Sequence, residues 1–579
     1  MNRDRPIRIA NCSGFFGDRL SAAKEMVDGG DIDVLTGDWL AELTMLILHK
    51  QRARNSELGY ASTFLTQMEQ VLGTCVDRGI KIVSNAGGLN PSGCADKIRE
   101  IAGRLGISVD VAHVEGDDLM PRIDRLRPQL ANLDTGEALV ADPVSANAYL
   151  GGWGITAALT NGADVVVCPR VTDASLVVGP AAWWWDWARD DWDALAGAVV
   201  AGHIIECGAQ TTGGNYSFFE QVPDRTVPPG FPLAEIDADG SCVVTKHAGT
   251  GGLVSVGTVT AQLLYEIGDP QYLNPDVIAD FTTIHLDDDG PDRVRVRGVR
   301  GLPAPPTTKV CINFDGGFRN RMTFVLTGLN QRQKAEWAEA ALFGRLGGAA
   351  RVGDVDVRFV EAPSDADGQE ASSGRLHVTV KSADERAVGR AFSSAVVELA
   401  LANYPGFFVS SQPGEAQPFG VYWPALIAND EVEQVVVLGD RTRLPIPAAP
   451  VGGAQPAAAS PVPYFDDAAP RGPLPGEPLG LHFGARSGDK GGNANVGIWA
   501  ADAGGYAWLA EHLTTSALAA LIPESTGLEV RRYELPNLFA LNFVIVGYLG
   551  QGVASSTAFD TQAKGLGEYL RARRWKPSA

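Results

Sequence analysis

Six short stretches hold the residues whose types and spacing could do chemistry. "GHIIECGAQTTGGNYS" (202–217) is the densest, with His203, Glu206, Cys207, Gln210, Thr211, Thr212 and Asn215. On a helix, His203 and Glu206 stand at i, i+3 and share a face. Glu206 then suits a general base and Cys207 a nucleophile. No second histidine is close enough in sequence to activate the thiol, and a lone cysteine among apolar residues is more often buried and inert. The same His-x-x-Glu spacing offers two metal ligands, but no third can be named, so no metal is expected. "VVVCPRVTDASL" places Arg170 and Asp173 after a fully apolar run. An arginine–aspartate pair there suits gripping a carboxylate or phosphate beside an acid/base group, or a structural salt bridge.

Four turns complete the set. "NCSGFFGDR" brings Asn11, Ser13, Gly14 and Asp18, and its backbone N–H groups suit an anion unless Asp18 simply caps the next helix. "NAGGLNP" sets Asn85 before two glycines, where it either holds a ligand carbonyl or holds the turn. "KHAGTGG" combines Lys246 and Thr250 with glycines, either an oxyanion or phosphate pocket or a plain Gly-rich turn. "ARSGDKGGNAN" gathers Arg486, Ser487, Asp489, Lys490, Asn493 and Asn495. That cluster fits an anion nest, for instance for a phosphate of coenzyme A, or an Asp–Lys network that stabilises its own loop.

Positioning these turns requires strand–turn–helix units. Through about residue 304, short apolar runs alternate with amphipathic segments, the pattern of an α/β domain with a mainly parallel sheet. "IRIANC", "IKIVSN" and "ADVVVC" read as strands that each end in one of the polar turns. Residues 305–447 change rhythm to β-β-α-β-β-α, so a smaller α+β subdomain, ferredoxin-like in kind, is expected as an insertion or sequel. Residues 448–477 read as a Pro/Ala/Gly-rich linker, which cannot bury enough apolar area to fold. A small α+β C-terminal domain then fills 478–579. The run "WWWDWARDDW" (183–192) reads as core or an oligomer interface before it reads as a substrate wall.

Composition narrows the function classes. The chain has 48 Lys plus Arg against 69 Asp plus Glu, a formal charge of −21. So acidic a surface disfavours nucleic acid and anionic membranes as partners. No run is long and apolar enough for a membrane span, and "MNRDRPIRIANC" leaves no apolar stretch for a signal peptide, so a cytoplasmic location is expected. The seven cysteines never fall as C-x-x-C, the pattern of a reduced compartment. Neither G-x-G-x-x-G nor G-x-x-x-x-G-K-[ST] occurs, which removes the dinucleotide and P-loop readings. No cofactor is expected.

Read together, "NCSGFFGD", "GDWLAELTM", "NAGGLNP", "GADVVVCPRVTDASL", "GHIIECGAQTTGGNY", "KHAGTGGLVSVGTVTAQLLYEIGDPQYLNPDV" and "ARSGDKGGNANVGI" resemble the acyclic terpene utilisation (AtuA) family along nearly the whole chain. Residues to about 450 resemble its N-terminal domain and those from about 478 its C-terminal domain. The resemblance implies catabolism of acyclic terpenes such as citronellol and geraniol, alongside acyl-CoA carboxylases and enoyl-CoA hydratases. It implies no biotin role, since no "AMKM"-like tetrapeptide occurs.

These readings converge on an enzyme acting on a branched acyl-CoA or related carboxylate by lyase or hydratase chemistry. Glu206 or Asp173 would move the proton, and Arg170 and Lys246 would hold anionic groups. Amides of the "GTGG" turn would stabilise an enolate. A homo-oligomer is expected. The rival is a non-catalytic accessory or assembly protein of a carboxylase pathway, motivated by the Trp-rich run and the tethered last domain.

Overall fold

The computed structural model describes residues 4–451 and 469–576. The middle of the expected linker, 452–468, lies outside the described residues.

Strands buried on both faces are mostly apolar, and the centre of the main sheet follows that pattern, with polar residues such as Asn11, Thr36 and Ser84 near the carboxyl ends. Five parallel strands form it, in the spatial order Ile7–Asn11, Val34–Gly37, Lys81–Ser84, Val165–Val167 and Val111–Glu115. Successive side chains alternate sides. Ala10, Leu35, Ile82, Val165 and Val167 pack under the helices Ala22–Gly29, Ser62–Arg78 and Pro91–Leu105. Ile9, Val34, Val83 and Val166 pack on the opposite side, under Trp153–Thr160, Ser175–Trp185 and Trp192–Ile205. Antiparallel strands extend both edges, starting with Pro232–Ile236 beside the first strand and Val435–Val437 beside Val111–Glu115.

The chain leaves Lys81–Ser84 through a helix on one side of the sheet, and leaves its neighbour Val165–Val167 through a helix on the other. Adjacent strands whose connections diverge open a crevice at their carboxyl ends, where α/β folds bind ligands.

The tryptophan run lies in this core. Trp183, Trp184 and Trp187 are buried, and the indole N–H groups of Trp185 and Trp187 donate to the carbonyls of Ile236 (3.1 Å) and Ala238 (2.8 Å). Those bonds fasten the long apolar helix to the antiparallel edge.

The chain divides into two compact units, one of residues 1–313, 422–553 and 560–579, the other of 314–421 and 554–559. The strands Val435–Val437 and Arg443–Pro445, grouped above with the α+β segment, belong to the edge of the main sheet. Within the smaller unit the elements run β-α-β-β-α-β, with helices Gln331–Arg345 and Arg390–Val397. Its strands pair antiparallel in the order Asp354–Val360, Ser373–Ser382, the end of Thr307–Thr327, then Phe408–Val409. That is the split β-α-β arrangement of ferredoxin-like folds.

The C-terminal segment is part of the larger unit. Its sheet runs Phe483–Lys490, Asn493–Ala500, Ala540–Ile545, Val530–Leu535, around a core that includes Phe483, Val496, Leu509, Phe543 and Leu570. Buried side chains tie it to the rest of that unit. Asn495 donates to the Leu264 carbonyl (3.1 Å) and accepts from the Glu266 N–H (2.8 Å), while Ser217 Oγ bonds both backbone groups of Ala485.

Candidate functional site

A helix ends with carbonyls that have no partner along its own backbone. At the end of Trp192–Ile205 four consecutive carbonyls meet side chains. Gln262 donates to His203 O (3.3 Å), Thr211 to Ile204 O, and Asn11 to both Ile205 O and Glu206 O (2.9 Å). The Asn11 amide oxygen accepts from the Ser13 N–H (2.6 Å). Asn11 and Thr211, expected to touch substrate, therefore have their hydrogen-bonding groups occupied by the protein. They hold the first strand against the helix end that carries Glu206.

The next turn explains the glycine of "NCSGFFGDR". A Cβ on Gly14 would stand 2.7 Å from the Cys207 backbone carbon, so only glycine permits this approach. Asp18 Oδ2 accepts from the Gly14 N–H (2.8 Å) and closes the turn; it does not cap the following helix.

Two strand ends meet at the switch point. Asn85 follows Lys81–Ser84; its oxygen accepts from the Trp39 N–H (2.8 Å) and its amide donates to Asp38 Oδ1. Asp38 also accepts from the Leu40 N–H (3.0 Å). Arg170, fully buried, follows Val165–Val167. It donates from Nε and Nη2 to Val171 O, from Nη1 to Leu40 O (2.9 Å), and from Nη2 to Asp173. Tyr149 lies against the guanidinium at 4.6 Å. Burial works against this charge, but Asp173, Tyr149 and Asp38 outweigh it and raise the arginine pKa. Four of its five N–H donors are thus engaged within the protein, so it positions Asp173 and leaves little for a substrate. Behind it, Asp117 accepts from Asn147 Nδ2 (2.8 Å) and the Arg170 N–H (3.3 Å), and burial lifts its pKa to about 7.

His203 Nδ1 and Glu206 Oε1 are 3.1 Å apart, the i, i+3 pairing read from the sequence. Burial, helped by the Lys490 charge, depresses His203 to about 4, while burial and the Asp173 charge push Glu206 well above the usual carboxylate range. Burial thus works against the charged form of both partners. Burial and then Asp173 likewise raise Asp38. Asp38, Asp173 and Glu206 line one small cavity with Asn11, Thr36, Leu176, Val177, Gly202 and Ile205. Two carboxyls whose pKa values are raised by burial stand with a third around one recess, an arrangement suited to moving protons.

Several expected participants stand elsewhere or act differently. Cys207 is the one cysteine not fully buried, yet burial and the charges of Glu206 and Glu266 raise its thiol pKa, so it is no activated nucleophile. Lys246 pairs with Asp292 (2.9 Å) and with Thr250 O (3.0 Å), and Thr250 Oγ1 bonds His247 O (2.7 Å). These residues brace their own loop. Thr212 donates to Gly230 O (2.5 Å), and Ser13 Oγ to Phe15 O (3.1 Å). The C-terminal segment does reach the site: Lys490 Nζ donates to Glu266 O (2.8 Å) and lies 5.6 Å from the Tyr272 ring, which itself stands 5.1 Å from the His203 ring.

Asp38 and Tyr272 escaped the reading of the sequence. Asp38 lies in "GDWLAELT", just past a strand, the same position that singled out Asn85 and Asp173. Among the described residues no three His, Cys, Asp or Glu side chains converge as ligands of one metal ion. None of the described helices is long and apolar enough to cross a membrane.

Fold and site define an α/β protein with a buried carboxyl cluster at the switch point of its parallel sheet. Residues 7–438 match the acyclic terpene utilisation family protein AtuA, and residues 482–575 match the AtuA ferredoxin-like domain. The chain belongs to the acyclic terpene utilisation family, which implies a part in the use of acyclic terpenes. No curated protein and no solved structure matches it.

Proposed function

We propose that this protein is an acid–base catalyst of lyase or hydratase type, acting on a branched acyl thioester or the related carboxylate of acyclic terpene breakdown. The observation that carries the reading is Glu206, its pKa raised by burial, lining one small cavity with Asp38 and Asp173. Adding or removing water across a carbon–carbon double bond needs one group that delivers a proton and another that takes one. Glu206, with neutral His203 against its other oxygen, delivers the proton. Asp173 takes one, its carboxylate held by Arg170 through a bond that substrate binding need not disturb. Asp38, locked by Asn85 and the Leu40 N–H, fixes the polarity of the recess. Leu176 and Val177 supply part of its apolar lining.

The test begins with binding. Purified protein is screened by thermal shift against free coenzyme A, geranyl-, citronellyl- and methylcrotonyl-type thioesters and the matching acids. A ligand at 100 times its dissociation constant stabilises by about 2.7 kcal/mol, a readable shift. The ligand found then defines the turnover assay, in which Glu206→Gln abolishes turnover while the melting temperature holds. Unchanged turnover in that variant refutes the role of Glu206. Together with copurification of a carboxylase, it would favour the accessory-protein reading instead.

A further inference from the structure

Buried polar atoms in folded proteins are nearly always hydrogen-bonded, so orphans gathered in one place call for a partner the protein does not supply. Four such atoms are His203 Nε2 and Glu206 Oε2 of the pair itself, Gln262 Oε1, whose amide donates to the His203 carbonyl, and Arg486 Nη2. Their residues are 1%, 8%, 2% and 6% exposed. Arg486 is the most telling. It arrives from the C-terminal segment on the strand Phe483–Lys490, lies 4.4 Å over the Tyr265 ring, and donates from Nη1 to the Asn215 carbonyl (3.3 Å). Asn215 holds φ at 57°, a left-handed conformation uncommon outside glycine. Among the described residues the remaining terminal nitrogen of Arg486, Nη2, has no hydrogen-bond partner.

Taking a guanidinium out of water is expensive, and here burial weakens its hold on the proton despite the charges of Cys207 and Glu266. A ligand anion removes that cost. Cys207 joins this arginine to the catalytic pair, for its thiol meets Gln262, interacts with Arg486 and follows Glu206 in the chain. The orphan set contains one cationic donor and one neutral amide acceptor. That suits a monoanionic carboxylate, with a ligand hydroxyl donating to Gln262 Oε1. A coenzyme A phosphate, the anion expected from the sequence, is bulkier and more highly charged than one enclosed guanidinium serves.

We propose that Arg486, with Gln262, forms a subsite for the free carboxylate of an organic acid, so that the C-terminal segment supplies the anchor for the substrate's acidic end. This rests on the acid–base reading of the adjacent Glu206 and names the substrate class.

The experiment is calorimetric titration of the full chain with geranate, its methyl ester and geraniol, which share the hydrocarbon and differ in charge. The acid binds, and the ester and alcohol bind at least tenfold more weakly. Arg486→Gln weakens the acid about tenfold to a hundredfold, as expected for a charge-assisted bond, and leaves ester and alcohol unchanged. Arg486→Lys retains part of the affinity. Equal binding of acid, ester and alcohol by the unmutated chain, absence of acid binding, or full acid affinity in Arg486→Gln overturns the proposal. The unmutated comparison stands even where a variant misfolds. If thioesters bind and Glu206→Gln stops turnover while the acid does not bind, the subsite fails and the acid–base reading survives. If the acid binds through Arg486 while Glu206→Gln leaves turnover intact, the reverse holds.

Discussion

Replacing Asp117 by asparagine tests the electrostatic argument at its most quantitative point. The Asp117 carboxyl is buried behind Arg170, and desolvation raises its pKa from the ordinary 3.8 to about 7 against the pull of the Asn147 amide. A group whose folded pKa is raised favours the folded state fully below its unfolded pKa and loses that contribution as pH climbs to the folded value. At 1.36 kcal/mol per unit the whole loss is about 4 kcal/mol, of which roughly 3 develops between pH 5 and pH 8. Asparagine carries no proton to lose and keeps an oxygen for the Asn147 and Arg170 N–H groups. The variant therefore gains on the parent by roughly 3 kcal/mol over that interval, whatever constant offset the new amide introduces. Urea unfolding at the two pH values, followed by tryptophan fluorescence, measures it. Eleven of the twelve tryptophans lie in the larger unit, so the signal reports the unit that holds Asp117. Parallel stability curves for the two proteins would refute the claim that burial keeps this carboxyl protonated.

Other outcomes follow from the same geometry. Arg170→Lys, which loses the forked bonds to Val171, Leu40 and Asp173, should destabilise the larger unit by about 3–5 kcal/mol on urea unfolding. His203, held neutral down to about pH 4, should contribute no inflection between pH 6 and 7. An imidazole titration there in NMR would contradict the buried pairing. Gly14→Ala, which drives a methyl into the Cys207 backbone, should cost about 1–3 kcal/mol of stability and lower ligand affinity, as thermal melts with and without ligand would report. Trp187→Phe, which removes the 2.8 Å bond to Ala238, should lower stability by about 1 kcal/mol and leave ligand binding unchanged.

Much of the site was legible from local pattern. Strand–turn–helix units mark their own carboxyl ends, so Asn85, Arg170 and Asp173 could be read as residues at strand mouths. The i, i+3 spacing of His203 and Glu206 is a property of one helix and survives any packing. The apolar runs at 7–12 and 165–168 foretell strands covered on both faces, and the indoles of 183–187 foretell core. The motifs shared with the AtuA family run along nearly the whole chain, and the family matches cover residues 7–438 and 482–575.

Tertiary structure decided which of these residues act together, because strand order and burial depend on contacts between distant segments. Placing Val165–Val167 between Lys81–Ser84 and Val111–Glu115 creates the crevice, and only that order brings Asp38 into line with Asp173 and Glu206. Burial then reversed several roles. Cys207 becomes a neutral thiol, and Arg170 turns inward to bind its own backbone. Asn11 and Thr211 satisfy a helix end, since an uncapped carbonyl in an apolar interior costs more than a bond to solvent returns. Arg486 lies 280 residues beyond Glu206 in the chain, and nothing local to "ARSGDK" says that it is buried with one nitrogen unpartnered. Charge and spacing are written along the chain, but desolvation, which sets what each charge can do, is a property of the fold.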